Sequence, residues 1–333
     1  MNKDKLLDFN IKINPVRVEL ELTEQCNLFC RFCYNSQEPL ISHRVFEIID
    51  RLAQSGVMEI VLTGGEPLLH PKFDDIVRKC SDTFEKTMVQ TNGTCIKKET
   101  TDLFKECNVF GVNISLHGPA SVHDQLTCVA GSYDLAFSAL KLLLESGIRT
   151  ASNFVLTNEN SSYLGDFVDV LYKNGLREIT LTRFTPTGVG RENAYMALSR
   201  AQLISALRIV KQKMMQYTDL KIIMANSVPY CALPDELKSF CEYCHFGTSR
   251  FYIDINGNVL MCGMSRISIG NILDTSFMEM KINSNNFKDH VIGADVPEKC
   301  RNCGYFLQCR GGCRAAAYAC SSNICGADPY AVY

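Results

Sequence analysis

Short runs of β-branched and apolar residues alternate with helix-patterned stretches along the first two-thirds of the chain. VRVELELT (16–23) alternates apolar and polar positions strictly, which predicts a strand with one face buried. HRVFEIIDRLAQSG (43–56) carries apolar residues at helical spacing and stops at a glycine. The alternation then repeats: strands at MEIVLTGGEP (58–67), TMVQTNG (87–93), VFGVNISLHG (109–118), RTASNFVLTN (149–158) and REITLTRFTP (177–186). Helical patterns follow near 73–80, 97–107, 132–147, 162–173 and 199–217.

Six strand–helix units in succession predict a parallel sheet with helices outside it. Six are too few to close the usual eight-unit barrel, so the expected fold is α/β, a partial and open (β/α)6 TIM-like barrel. Functional loops of such a sheet gather at the C-terminal ends of its strands. There the chain places a cysteine loop after strand one, GGEP after strand two, TNG after strand three and SLHG after strand four. Beyond about residue 225 the helical periodicity fades, and RFYIDINGNVLMC (250–262) predicts a hairpin turning at Asn256-Gly257. The expected division is a lead over 1–15, a barrel over 16–224 and a small cysteine-rich extension over 225–333.

Composition narrows the function classes. A 46% hydrophobic, 21% charged chain is of ordinary globular make-up, and a net charge of −2 offers no basic footprint for nucleic acid. No signal-peptide core or membrane-length apolar run is present, so the expected location is the cytoplasm, without a membrane partner. Seventeen cysteines in a reducing compartment argue for metal ligands over disulfides, because they cluster at 26–33 and 231–325. Cys80, Cys95, Cys107 and Cys128 lie between the clusters and are expected to be buried small hydrophobes.

CNLFCRFCY (26–34) offers three thiolates from one loop, whereas iron–sulfur clusters normally take four. A zinc knuckle completed from elsewhere is the alternative. The C-x3-C-x2-C spacing, with Phe32 before the last cysteine and Gly64-Gly65-Glu66-Pro67 after strand two, resembles the radical S-adenosylmethionine (radical SAM) superfamily over roughly 15–220. That resemblance implies that Cys26, Cys30 and Cys33 hold a 4Fe–4S cluster whose fourth iron binds S-adenosylmethionine (AdoMet). Reductive cleavage of AdoMet would then give a 5′-deoxyadenosyl radical that abstracts hydrogen from substrate. It further implies that Phe32 and Tyr34 lie near the adenine and that the Gly64–Pro67 backbone, with Glu66, holds the methionine ammonium. Asn92, Ser115 and Asn153 become candidate ribose or carboxylate contacts. Relatives often place an arginine after the pair corresponding to His123-Asp124; Thr127 stands there instead, so either another base such as Arg183 takes its place or neutral donors hold the carboxylate.

Cys300-x2-Cys303-x5-Cys309-x3-Cys313, preceded by Cys244, Gly257 and Cys262, resembles the SPASM extension of that superfamily, with two auxiliary 4Fe–4S clusters. A pair of zinc ribbons is the alternative. By resemblance the first cluster takes Cys244, Cys262 and Cys313, with Cys241 or else Cys231 as fourth ligand. The second takes Cys300, Cys303 and Cys309. The family's closing cysteine often lies about where Ala331 sits, which leaves Cys325, Cys320 or Asp328 to complete it.

The favoured activity is modification of a peptide or protein side chain, a peptide maturase. The alternative is a small-molecule oxidase, decarboxylase or epimerase of a sugar, cofactor or tetrapyrrole; an epimerase would need a thiol donor, for which Cys128 is the candidate. A non-catalytic iron–sulfur carrier is a third reading. Gly263 stands where sulfatase maturases are expected to carry an aspartate base. With the cysteine loop starting at residue 26, a separate partner is expected to present any leader peptide. The resemblance also implies an electron donor such as flavodoxin or ferredoxin.

Overall fold

The computed structural model describes residues 16–277, 279–280 and 296–332; the expected lead over 1–15 lies outside them. The six predicted strands are present as β1 (Arg17–Glu21), β2 (Glu59–Thr63), β3 (Lys86–Thr91), β4 (Gly111–Ser115), β5 (Thr150–Leu156) and β6 (Glu178–Arg183). They pair in chain order, all parallel, with Glu21 opposite Thr63 and Ser115 opposite Asn153. Helices fill the crossovers: α1 (Val45–Gln54), α2 (Phe73–Thr83), α3 (Lys98–Glu106), α4 (Ala120–Thr127), α5 (Ser132–Glu145), α6 (Leu164–Lys173) and α7 (Arg200–Gln216). In α1 the buried face is Val45, Ile48, Ile49 and Leu52, the one-stripe spacing that seats a helix on a sheet. Ile48, Ile49 and Leu52 are fully buried, each worth about 1.5–3 kcal/mol.

Three features go beyond the sequence expectation. A seventh parallel strand, β7 (Lys221–Met224), extends the sheet past β6. It is four residues long with a mostly exposed edge pattern, too short to register as a periodic run. Helix α4 is a second helix in the crossover after β4, entered through Pro119, whose fixed φ suits a helix start. And the expected hairpin, β8 (Arg250–Ile253) with β9 (Asn258–Leu260), does not stand apart: β8 pairs parallel with β1, so the extension continues the barrel's own sheet. A last strand, β10 (Ser268–Asn271), runs antiparallel to β9. The sheet order is β10-β9-β8-β1-β2-β3-β4-β5-β6-β7, open between β7 and β10.

The hairpin turn is built by Asp254, whose carboxylate accepts from the Asn256 and Asn258 backbone N–H groups. Gly257 provides the positive φ of the turn. Beyond it come α8 (Glu298–Arg301), α9 (Phe306–Cys309) and α10 (Arg314–Ser321). Among the described residues no single helix is long and apolar enough to cross a membrane.

Candidate active site and cysteine centres

The loop after β1 carries Cys26, Cys30 and Cys33, and it is held by backbone on three sides. On one side the GGEP turn zips onto it: Gly65 N–H donates to Thr23 O (2.7 Å) and Glu66 N–H to Gln25 O (2.8 Å). A Cβ on Gly64 or Gly65 would stand 2.2 Å from the Thr23 or Gln25 carbonyl oxygen, so only glycine permits this approach. On a second side, the end of α4 accepts from the loop: Phe29 N–H to Thr127 O (3.0 Å) and Arg31 N–H to Leu126 O (2.9 Å). On a third, the turn after β6 closes in. Gly190 N–H donates to Cys33 O (2.8 Å), and a Cβ on Gly188 would fall 2.2 Å from Tyr34 O. In the sequence this Gly188-Val189-Gly190 segment is marked only by two glycines just beyond a strand end.

The thiols sit among donors. Leu28 N–H points at Cys26 Sγ (3.4 Å), Asn35 N–H at Cys33 Sγ (3.4 Å) and Asn92 Nδ2 at Cys26 Sγ (3.8 Å). Burial nevertheless raises all three thiols, Cys26 to about 11, and Cys30 is raised further by the neighbouring Cys33 and Cys26. Donors aimed at sulfur, in a pocket that disfavours uncompensated thiolates, suit a cationic iron centre whose binding releases the protons. The donor set therefore fits a cluster.

The other expected contacts fall around the same mouth, with partners of their own. Phe32 lies edge-on to His117 (4.6 Å between centroids) and Tyr34 edge-on to Tyr252 (6.4 Å). Glu66 is fully buried, and its carboxylate accepts from Thr91 Oγ1 (2.7 Å), Asn92 N (2.7 Å) and Leu68 N (3.2 Å). It thus joins the GGEP turn to the end of β3, with Pro67 opening the short turn that follows. Asn92 reaches the loop through Asn27 Oδ1 (2.8 Å), Asn153 Oδ1 accepts from Thr182 (2.9 Å), and Ser115 ends β4 beside Asn153. His117 and His123 are buried and stacked; burial holds both below the usual histidine range, His123 at about 4. They are neutral packing groups.

Two candidates find other employment. Arg183 is not turned to a cofactor carboxylate: its guanidinium is paired with Asp328, both side chains essentially inaccessible, under the Tyr330 ring. Asp328 also accepts from Cys313 N (2.8 Å) and Tyr330 N (3.0 Å), so its carboxylate is unavailable as an iron ligand. Cys128 is exposed at the end of α4, in contrast with the packing expected of it, while Cys80 is wholly buried and Cys107 packs on the core.

No disulfide forms among the seventeen cysteines. Those of the extension gather in two groups. Cys262 and Cys313 are buried with Cys244 beside them; burial, then the neighbouring cysteines, raises the Cys244 and Cys262 thiols, and Met264 N–H is aimed at Cys262 Sγ (3.4 Å). Cys300, Cys303 and Cys309 line a cavity of about 270 Å³. Cys241 lies near Cys309 and Cys231, and its interaction with Cys309 raises the Cys241 thiol and lowers that of Cys309. Cys325 is buried beside Asn323 and, like Cys320, is not among the cavity's lining residues. Among the described residues no three Cys, His, Asp or Glu side chains converge tightly enough for a single ion.

The two cysteine regions are tied together by Arg266, in the loop after β9. It reaches back to Glu21 (3.1 Å), Glu24 (3.0 Å) and Asn35 (2.8 Å) around the first cysteine loop. Gly263, next to Cys262, packs directly on Tyr252: a Cβ there would lie 2.8 Å from the ring.

The profile of the Radical SAM superfamily matches residues 20–171, and that of the SPASM iron-sulfur cluster-binding domain matches 244–304. An AdoMet-dependent heme synthase of Oleidesulfovibrio alaskensis is 24% identical over 340 residues, 94% of this chain and 86% of that protein. The mycofactocin maturase MftC of Mycolicibacterium smegmatis is 27% identical over 337 residues, 96% of this chain and 83% of that protein. The crystal structure of Streptococcus suis SuiB bound to precursor peptide SuiA superposes with a TM-score of 0.77 at 19% identity, covering 98% of this chain and 77% of that one.

Proposed function

From its place as a radical SAM superfamily enzyme with a C-terminal SPASM iron–sulfur domain, we propose that this chain modifies a peptide or protein side chain. The carrying observation is its similarity to a mycofactocin maturase, MftC, along 96% of its length. A peptide-bound neighbour of the same fold, SuiB, supports it. So does the surface beside the first cysteine loop, where Phe29 and Tyr195 are exposed and Arg31 bridges Tyr195 to Glu159. Large exposed apolar groups beside a polar mouth suit a chain-like substrate.

In this reading residues 16–224 form the AdoMet-cleaving barrel and 225–333 the auxiliary-cluster domain. Cys26, Cys30 and Cys33 hold the first cluster. The Gly64–Pro67 turn, Phe32, Tyr34, Asn92, Ser115 and Asn153 surround AdoMet, and two auxiliary clusters sit in the extension. A cluster on Cys26, Cys30 and Cys33 with AdoMet bound would supply reductive sulfonium cleavage and the radical chemistry for hydrogen abstraction. The chain's own part is positional. The GGEP, α4 and Gly188–Gly190 segments fix the loop, and Glu66 and Arg266 brace it from within. The enzyme works in the cytoplasm with a flavodoxin or ferredoxin as electron donor. Gly263 stands where sulfatase maturases are expected to carry an aspartate base, which weighs against that chemistry.

A second reading, a tetrapyrrole substrate, is favoured by the similarity to the heme synthase. One assay separates the two. The anaerobically reconstituted protein is given dithionite, AdoMet and either deuterated peptides or deuterated tetrapyrroles, and deuterium in 5′-deoxyadenosine is read by mass spectrometry. Transfer from peptide alone supports the proposal, and transfer from tetrapyrrole alone replaces it. A Cys26/Cys30/Cys33→Ala variant is expected to make no 5′-deoxyadenosine while retaining its remaining iron.

A further inference from the structure

The cavity lined by Cys300, Cys303 and Cys309 has a fourth thiol in its wall, that of Cys231. Cys231 comes from outside the extension's cysteine motifs, on a single turn (Tyr230–Ala232) that follows β7. The fold fastens this turn to the cluster-bearing segment at several points. The Tyr230 ring stacks on Tyr305, four residues before Cys309, at 3.7 Å and 16°. Tyr230 N–H donates to Cys309 Sγ (3.3 Å), and Lys238 Nζ holds Tyr230 O (2.8 Å). On the far side, Val332 N–H donates to Cys231 Sγ (3.3 Å). Backbone donors thus point at both sulfurs, the arrangement that stabilises cluster thiolates. Ala331 lies in the same wall and offers no ligand.

We propose that Cys231 is the fourth thiolate of the second auxiliary cluster, completing Cys300, Cys303 and Cys309. The competing groups are disposed otherwise. Asp328 is committed to Arg183 and to the Cys313 and Tyr330 amides, and Cys241, Cys320 and Cys325 do not line the cavity. The cluster is therefore closed by a residue joined to the barrel's last strand, not by the C-terminal tail. The proposal rests on the reading of two auxiliary clusters, and its test separates the two.

The full chain carrying Cys26/Cys30/Cys33→Ala is reconstituted anaerobically, so that only auxiliary iron remains, about eight per chain. Adding Cys231→Ala is expected to remove between about one and four irons and to produce a three-iron electron paramagnetic resonance signal or abolish one cluster's signal. Cys320→Ala and Cys325→Ala are expected to change neither. Ala331→Cys added to Cys231→Ala is expected to restore the iron, because it returns a thiol to the same wall. Should Cys231→Ala fail to fold, Cys231→Ser replaces it, with retained iron and a shifted reduction potential expected. Unchanged iron and spectra in Cys231→Ala, or loss in Cys320→Ala or Cys325→Ala instead, overturns the ligand assignment alone. A background holding about four irons or fewer overturns the two-cluster reading and the assignment with it.

Discussion

Glu66 shows how far a motif residue can be read before its neighbours are known. GGEP was legible as a functional turn, and Glu66 was expected to face the methionine ammonium. In the fold its carboxylate is wholly enclosed and shared among Thr91, Asn92 and Leu68, so it braces two strand-end loops against each other. Removing it strands the Asn92 and Leu68 amides at about 1–3 kcal/mol each. Glu66→Ala is accordingly expected to lower the melting temperature of the ligand-free chain, read by calorimetry; an unchanged melt would contradict the bracing role. Burial pushes the Glu66 carboxyl from 4.5 to about 7. The folded chain therefore holds its proton more tightly than the unfolded one, and this group's contribution is full below pH 4.5 and lost as pH rises through about 7. Glu66→Gln, which cannot ionise, should gain on wild type across that window by up to about 3 kcal/mol and level off above it. A parallel pair of stability curves against pH would show the carboxyl titrating normally. Arg183 carries the same lesson in reverse: its partner Asp328 lies 145 residues away, and no local pattern announces it.

At the scale of elements, the six strand–helix units were legible because their burial follows the period of each element. What escaped were β7 and α4, short pieces whose placement depends on what they pack against. The loops between elements set the site. Gly64 and Gly65 let the β2 turn lie against the cysteine loop at a distance no side chain allows. Gly65→Ala is predicted to push the two loops apart and to lower 5′-deoxyadenosine formation by about 100-fold or more, the usual cost of a displacement near 1 Å at a reacting centre. The measurement is single-turnover AdoMet cleavage at matched iron content. Full activity at matched iron would remove the close approach from the account. Gly188→Ala, which meets Tyr34 from the opposite side, is expected to act in the same direction.

At the scale of the molecule, the extension is not an appendage: β8 joins the barrel sheet at β1, Arg266 reaches the first cysteine loop, and Asp328 reaches β6 through Arg183. Breaking one partner of a buried ion pair costs about 3–5 kcal/mol, because the other charge stays buried. Asp328→Asn is thus expected to lower the melting temperature and to expose residues 325–332 to limited proteolysis, with cleavage sites read by mass spectrometry. An unaltered cleavage pattern would leave the tail anchored by other contacts. The sequence by itself determined the parallel α/β class, the mouth at the strand ends and the two cysteine-bearing regions, because periodicity, glycine turns and thiol spacing are local properties. Only the tertiary structure decided the seating of β8 on β1, the partners of Glu66 and Arg183, and the grouping of Cys231 and Cys241 with Cys309. Those depend on which distant segments the sheet and the buried charges bring face to face, and a fourth ligand or a counter-charge is specified by position in space and not by spacing along the chain.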